Sequence, residues 1–453
     1  MSATPLHDFH TAFIAQFSPA PCEPAMPESK QQNSNKPAGT AALTVDEARD
    51  AILALITTTS ATENIAITEA SGRTIAVAVN ATTAIPPFKN SAMDGFAIRY
   101  RDVDNHTGNS GTDSQQRFKI IGKSLAGHPF EGSVCEGEAV RITTGAAIPD
   151  GADAIVIQEL ATVTNDTFTT GATLKAGRYI RHPGDDIQSG QQLIAANTKL
   201  TAAHTGLLAA QGISHIDVFV MPKVGVFSTG DELRQPGEKL AHGDIFDSNR
   251  ATIQSVLRNA GIDSIGLGIC KDDPQSLEQL MQSSGDLDFV LSSGGVSVGE
   301  ADHIKDVLEA NGELLFWKVA MKPGKPLVSG KLSTGAWYFG LPGNPVSSMV
   351  TCVQFVIPAI RAFSGLKYSP PPVLRAICLE KLSKEPGRFE FQRGIASTAE
   401  NGEVTVSATG LQDSHVLSSM SMANCFICLD PLATGAEVNE KVSVILFSSL
   451  DGL

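Results

Sequence analysis

The sequence predicts a multidomain α/β protein: a central doubly wound parallel-sheet domain, an N-terminal helical element carrying an inserted β-rich domain, and a C-terminal β-barrel or sandwich. At 453 residues the chain is too long for a single core, and about three domains are expected. From 222 to about 365, continuous apolar runs alternate with amphipathic helices, the pattern of a parallel sheet covered on both faces. On either side of that block the apolar runs are short and broken by Gly and Pro, as in small β domains.

Residues 1–43 are expected to form a disordered lead-in, because 18–42 are rich in Pro, Ser, Asn and Gln and hold too few large apolar side chains to offset the entropy of ordering. Order is expected from Thr44, where "TVDEARDAILALI" offers an N-cap, Glu47 as its capping-box partner, and apolar residues at helical spacing. Residues 44–84 and 186–220 are assigned to one helical linker domain, whose second half, "SGQQLIAANTKLTAAHTGLLAAQGI", reads as helix-compatible with a stop at Gly212. Between them, 85–185 read as the inserted β-rich domain, with "FKIIGKSLAGHPF", "EAVRITTGAAIP" and "ADAIVIQEL" as short strands.

The block 221–368 supplies the strands "KVGVFSTG", "SIGLGIC", "DFVLSSGG" and "GAWYFGLPG", alternating with the helices "NRATIQSVLRNAG", "PQSLEQLMQSSG", "ADHIKDVLEANG" and "PVSSMVTCVQFVIPAIRAF". From 369 to 453, "VLRAICLE", "FEFQRGIAS" and "KVSVILF" predict the C-terminal β domain.

Composition narrows the function classes. A hydrophobic content of 42% with 18% charged residues is that of a soluble globular protein. No run of about 20 unbroken apolar residues offers a membrane span. The N-terminus lacks a basic n-region and a long apolar h-region, so a cytoplasmic location is expected. A formal net charge of −14 speaks against a nucleic-acid surface, and any anionic ligand must be drawn by a local cluster. The seven cysteines are scattered; Cys425 and Cys428 fall on one strand with their thiols on opposite faces, which fits packing better than metal or redox use.

Doubly wound sheets bind ligands beyond the carboxyl ends of their strands. Four loops there are unusual: "STGDEL" (Ser228–Leu233), "SSGGVSVGEAD" (Ser292–Asp302), "KVAMKPGKP" with Lys318, Lys322 and Lys325, and "GLPGNPVSS" (Gly340–Ser348). Lysines neutralise oxyanions, carboxylates such as Asp231, Glu232, Glu300 and Asp302 hold Mg²⁺, and glycines let backbone N–H groups approach phosphate. Each feature also has a plainer reading. The glycines serve turns, Asp231 and Glu232 suit the start of a helix, the prolines shape a turn, and the lysines fit a solvated face. "KDDP" reads equally as a helix cap or as Asp272 or Asp273 facing the crevice. Neither a Walker loop nor a G-x-G-x-x-G fingerprint is present. The convergence of four such loops on one sheet edge favours a phosphate-plus-metal site.

In order, "NSAMDGFAIR", "RITTGAAIP", "GDDI", "FSTGDEL", "SSGGVSVGEAD", "FWKVAMKPGKP" and "GLPGNPVS" resemble the molybdopterin molybdenumtransferase family, from about Thr44 to the C-terminus. The resemblance implies a molybdenum-cofactor enzyme that takes adenylyl-molybdopterin and molybdate and releases AMP with Mg²⁺ as its cation. It further implies catalytic roles for Asp231, Glu232, Asp302, Asp94, Lys318 and Lys322, and metal contacts by Glu232, Asp302 and Asp272. Substrate binding would fall to Ser293, Gly294, Gly295, Ser297, Lys325, Pro342, Gly343, Asn344 and Pro345. A homodimer is implied, with Asp94, Thr144, Arg181 and Asp186 completing the partner subunit's crevice, although an Asp in a tight Met-Asp-Gly turn is usually a turn residue. Arg393, Ser414 and Ser418 resemble the family's C-terminal module, with ligand contact and structural roles both open. A molybdopterin adenylyltransferase and molybdoenzyme apo-proteins are the implied protein partners, and neither nucleic acid nor membrane is. Adenylyl transfer to molybdopterin, or a non-catalytic molybdopterin-binding scaffold, are the alternative functions.

Overall fold

The structure is a computed structural model that describes residues 42–103, 116–172, 174–295, 307 and 310–453. The expected lead-in falls almost wholly outside the described residues, as do Ser297, Glu300, Asp302 and most of the helix expected after them.

Helix α1 (Val45–Leu55) begins with the capping box that the sequence predicts: Glu47 N–H donates to Thr44 Oγ1 (3.2 Å), and Thr44 N–H donates to Glu47 Oε2 (2.9 Å). Its placement differs from expectation. Val45, Ala48 and Ile52 enter the core of the α/β domain beside Phe355 and Ile360, so α1 belongs to that core and not to the linker. Its entry is pinned where Leu43 N–H donates to the carbonyl of Lys318 (2.9 Å) and Ala320 N–H to that of Leu43 (2.7 Å).

The linker is largely strand. β1 (Thr62–Ala66) pairs antiparallel with β12 (His215–Phe219), and β2 (Val79–Asn80) pairs with β11 (Gln192–Ile194). One helix, α2 (Ala202–Ala210), covers their small core of Ile75, Leu200, Leu208 and Val218. The helical expectation fails at Gln192–Ile194, which is strand β11, while His215–Phe219, beyond the expected stop at Gly212, alternates in burial with a period of two.

Between these ribbons sits the inserted domain. β3 (Asn90–Ser91) pairs with β10 (Ile180–Arg181). The main sheet comprises β4 (Gly95–Ile98), β5 (Gln116–Ser124), β6 (Glu138–Ile142), β7 (Ala154–Ile157), β8 (Thr162–Thr164) and β9 (Thr167–Thr170), in the order β7-β4-β6-β5-β9-β8. Phe168 stacks on Phe96 and Phe118 at its centre, with ring centroids 4.2 and 5.2 Å away.

The central sheet is built from β13 (Val224–Thr229), β16 (Ser264–Cys270), β17 (Phe289–Ser293), β18 (Gly312–Lys318), β20 (Pro326–Leu332) and β21 (Trp337–Leu341), in the order β16-β13-β17-β21-β20-β18. A two-strand ribbon of β14 (Leu233–Arg234) and β15 (Ile245–Phe246) follows β13, and β19 (Met321–Lys322) lies between β18 and β20. The four strands from β16 to β21 run parallel, but β20 and β18 are antiparallel, so the expectation of an all-parallel sheet is corrected. The connections explain it: turns as short as those from β18 to β20 and from β20 to β21 cannot make a parallel crossover.

Helices α3 (Ser248–Asn259) and α4 (Pro274–Ser283), and the long α5 (Pro345–Phe363), pack against the sheet. Helix α5 has the length and mean hydropathy of a membrane span, yet 83% of it is buried inside the protein, where it forms the spine of the core. A π-helical turn, Cys352–Val356, lies at its middle.

The C-terminal domain is a barrel, which decides between the two expected forms. β22 (Leu374–Cys378), β24 (Phe389–Thr398), β25 (Val404–Ala408), β26 (Cys425–Leu429) and β28 (Lys441–Leu446) close through the pairing of β24 with β26. β23 (Leu382–Ser383) and β27 (Gly435–Ala436) form a side ribbon, and helix α6 (Leu417–Met422) caps one side. β19 joins β24 in parallel, so the barrel holds the lysine-bearing loop of the α/β domain.

Candidate active site

The chain runs from β13 to β16 on one side and then crosses to β17 on the other, so the carboxyl ends of β13 and β17 flank the topological switch point. A cavity of about 540 Å³ opens there. Ser228 and Thr229 come from β13, Ser293, Gly294 and Gly295 from β17, and Gly343 and Pro345 from the loop after β21. Three helices begin at its wall, at Asp247 and Ser248, at Asp273 and Pro274, and at Pro345. Their free N–H groups and dipoles make the wall attractive to anions inside an acidic protein.

The two carboxylates of "KDDP" have separate tasks. Asp273 is the N-cap of α4, accepting from Ser276 Oγ (2.6 Å) and Ser276 N–H (2.8 Å), and these bonds hold its pKa below the usual carboxylate range. Asp272 faces the other way. Loss of water at the cavity wall, and then repulsion from Asp231 and Glu232, raise its pKa above the ordinary value. Its N–H contacts Asp231 Oδ1 at 3.4 Å, and Asp272 and Glu232 both line the cavity. Asp231 and Glu232 lie in a turn, not at the start of a helix, which excludes the plainer reading of "STGDEL". Glu232 folds back over Gly230, where a Cβ would stand 2.6 Å from its Oε2.

Three carboxylates whose charges oppose one another, with hard oxygen donors at an anion-attracting wall, suit a divalent cation. Among the described residues no three His, Cys, Asp or Glu side chains form a ligand set by themselves.

The glycine loop is tight. Gly294 has φ +95°, and a Cβ there would meet the carbonyl of Thr229 at 2.8 Å and its Oγ1 at 2.9 Å. Sequence reasoning missed two neighbours. Asn249 Nδ2 donates to Ser293 Oγ (2.8 Å) and to the carbonyl of Gly343 (2.7 Å), tying three loops together. Asn249 Oδ1 and Thr229 Oγ1 are buried without a partner, so the cavity presents unmet acceptor capacity to a ligand. Ser228 Oγ donates to Asp247 Oδ1 (2.9 Å), the N-cap of α3. The signal was "FDSN": an N-cap and two polar residues opening a helix beside the first strand's loop.

The N-terminal motifs and the C-terminal barrel frame this site in one order along the chain. Residues 43–212 match the MoeA N-terminal region (domain I and II), 225–362 the probable molybdopterin binding domain, and 375–447 the MoeA C-terminal region (domain IV). A molybdopterin molybdenumtransferase of Haemophilus influenzae is 40% identical over 413 residues, covering 90% of this chain and 100% of that protein. The chain belongs to the molybdopterin molybdenumtransferase family. A second member, from a Nostoc species, is 38% identical over 69% of this chain and 72% of its own length. Among solved structures, a molybdopterin biosynthesis moeA protein from Pyrococcus horikoshii OT3 superposes with a TM-score of 0.76 at 26% identity, covering 90% of this chain and 100% of that one.

The other residues that the family resemblance marks fall in three places. Lys318, Lys322 and Lys325 lie at the same carboxyl edge of the sheet, since Lys318 pairs with Pro326 and Val328 with Gly340, but none lines the cavity. Lys322 Nζ instead reaches Glu390 Oε1 of the barrel at 3.3 Å. Of the "LPGNP" residues, Gly343 and Pro345 line the cavity, whereas the Pro342 carbonyl faces Ser293 Oγ at 3.5 Å and Asn344 Nδ2 donates to Ser414 Oγ (3.0 Å).

In the inserted domain, Asp94 Oδ1 accepts from Thr144 N–H and from Thr144 Oγ1 (2.9 Å), and these bonds hold the carboxyl below its usual pKa. Arg181 stands opposite Asn90, and Asp186 N–H donates to Ile85 (3.0 Å). Neither pair lines the cavity of its own chain. Ser418 is exposed, while Arg393 is 1% exposed and excluded from ligand contact; burial lowers its pKa to about 10, which leaves it charged at neutral pH. The Cys425 and Cys428 thiols are pushed up by burial to about 11 and about 12, so they stay protonated as packing groups.

Proposed function

We propose that this protein inserts molybdate into adenylylated molybdopterin and releases AMP, with Mg²⁺ as the working cation. One observation supports this most: a cavity at the switch point combines three helix N-termini with the carboxylates Glu232 and Asp272, and Asp231 stands beside Asp272. The helix ends and the Ser293 to Gly295 backbone would bind and orient the pyrophosphate and pterin oxyanions. Asn249 Oδ1 and Thr229 Oγ1 would accept N–H or O–H donors of the ligand. Glu232 and Asp272 would hold Mg²⁺, with Asp231 adding negative charge beside them; the ion when bound neutralises charge on the leaving phosphate. Asp302 and Ser297, outside the described residues, are assigned to the same loop chemistry by motif.

The residues Asp94, Thr144, Arg181 and Asp186 do not line their own chain's cavity, which supports their action across a homodimer. Lys318 and Lys325 would steer molybdate along the sheet edge, with Lys322 held beside them. A cytoplasmic setting fits the substrates, and an adenylyltransferase would supply the adenylylated pterin.

The test is AMP release from adenylyl-molybdopterin by purified protein, with and without Mg²⁺ and molybdate. Molybdate-stimulated release that Glu232→Gln loses is the expected result. Tight binding of the pterin with no AMP at any molybdate concentration would leave a binding scaffold as the function.

A further inference from the structure

The barrel strand β24 sends two contacts into the α/β domain. At its start, Met321 and Lys322 pair in parallel with Phe389 and Glu390, and the Lys322 ammonium meets the Glu390 carboxylate, which is 3% exposed. Gln392 Nε2 donates to the same Glu390 Oε1 (3.2 Å), fixing its orientation.

Farther along, the Arg393 guanidinium spends its donors on one loop: Nη1 on the carbonyl of Gln412 (2.9 Å), and Nη2 on those of Leu411 (3.2 Å) and Asp413 (3.1 Å). Its Nε donates to Ser419 Oγ (2.9 Å), and Gln412 Oε1 accepts from Arg393 N–H (2.7 Å) in return. The clamped loop ends at Ser414, whose carbonyl accepts from Val346 N–H (3.1 Å) and whose Oγ accepts from Asn344 Nδ2. Asn344 and Val346 flank the Gly343 and Pro345 wall, and Asn249 bonds the Gly343 carbonyl from the opposite side.

We infer that Arg393 and Glu390 are positioning residues, through which one barrel strand sets both the proline wall of the cavity and the lysine loop. A buried guanidinium with its donors on carbonyls of a single loop leaves that loop few alternatives, because any other arrangement strands a charge-assisted donor away from water. The Glu390 carboxylate acts likewise on Lys322, whose long side chain would otherwise sample many rotamers. The inference rests on the function proposed above for its kinetic consequence, and on the coordinates alone for its mechanical one.

Amide hydrogen exchange and steady-state kinetics on the full chain test it together. In Arg393→Met, the Val346 amide is expected to exchange about tenfold faster while the strands of the inserted domain keep their protection. KM for adenylyl-molybdopterin should rise about tenfold with kcat less affected, and Arg393→Lys should recover part of both. Glu390→Gln should speed exchange only in the 320–326 segment and leave Val346 unchanged. Should Arg393→Met not fold, Ser414→Ala removes the Asn344 Nδ2 bond while keeping the carbonyl that Val346 N–H donates to. It is therefore read by KM, which is expected to rise, and an unchanged KM there would overturn the inference. Uniformly faster exchange throughout the barrel, or unchanged Val346 exchange and KM, would overturn the inference. Local exchange changes in the variants, with a wild type that turns over no substrate, would leave the clamp standing and remove the proposed reaction.

Discussion

Asp272 and Asp94 are carboxylates pushed in opposite directions by what surrounds them. Asp272 is raised by loss of water and by its acidic neighbours, so the folded state binds its proton more tightly than the unfolded chain does. The stability this confers is present at low pH and is lost as pH rises through the window between the ordinary and the raised value. At neutral pH the ionised side chain is therefore a burden on the ligand-free fold. Asp272→Asn should raise the thermal midpoint of the metal-free protein at pH 7, while cutting the stabilisation that Mg²⁺ and adenylyl-molybdopterin add together and weakening Mg²⁺ activation roughly tenfold to hundredfold. A midpoint that falls on substitution would show that the carboxylate is held by a favourable partner instead.

For Asp94 the sign reverses: its stabilisation is present above the unfolded value and lost as pH falls. Because the Thr144 N–H outweighs the hydroxyl, Thr144→Ala should move the Asp94 titration, followed by NMR, only part of the way back. The sequence offered both aspartates as site residues, but which member of "KDDP" caps the helix depends on the Ser276 bonds, which spacing alone does not specify.

Among the loops, two glycines of similar appearance carry different constraints. Gly294 has positive φ and sits against Thr229, whereas a Cβ on Gly343 would meet nothing nearer than 3.8 Å. Gly294→Ala should cost about 1–3 kcal/mol in chemical denaturation and abolish pterin binding, and Gly343→Ala should leave stability nearly unchanged. Equal losses at both would refute this account of the loop. The strands and helices around them were legible because their periods of two and 3.6 survive in the sequence. The antiparallel edge was not: β18 and β20 are absent from the strands expected of 221–368, and their short connections set them antiparallel. Asn249 escaped notice because its partners, Ser293 and Gly343, lie 44 and 94 residues away.

At the level of the whole molecule, the order of motifs identified the family, while the division of labour between domains is visible only in the folded chain. Composition set the insert and the C-terminal region apart from the sheet domain as β-rich, yet nothing in composition reveals that the barrel grips two loops of the sheet domain. If the site is shared between subunits, mixing inactive Asp94→Ala and inactive Glu232→Gln proteins should restore up to about a quarter of wild-type activity. That yield follows from random exchange, where half the dimers are mixed and each mixed dimer keeps one intact site. No recovery after verified subunit exchange would place both residues in one chain's site.

Helix α1 has a consequence for how the chain is made. Its apolar face is covered by α5, and Thr58 Oγ1 donates to Ala362 across 304 residues. A ribosome adding about 5–20 residues per second needs roughly 15–60 s to reach that partner. During this interval Val45, Ala48 and Ile52 emerge with nothing to cover them, while the inserted β domain already has its whole sequence outside. Among the described residues the first helix synthesised is thus among the last to dock, and its apolar face stays open to chaperones until α5 arrives.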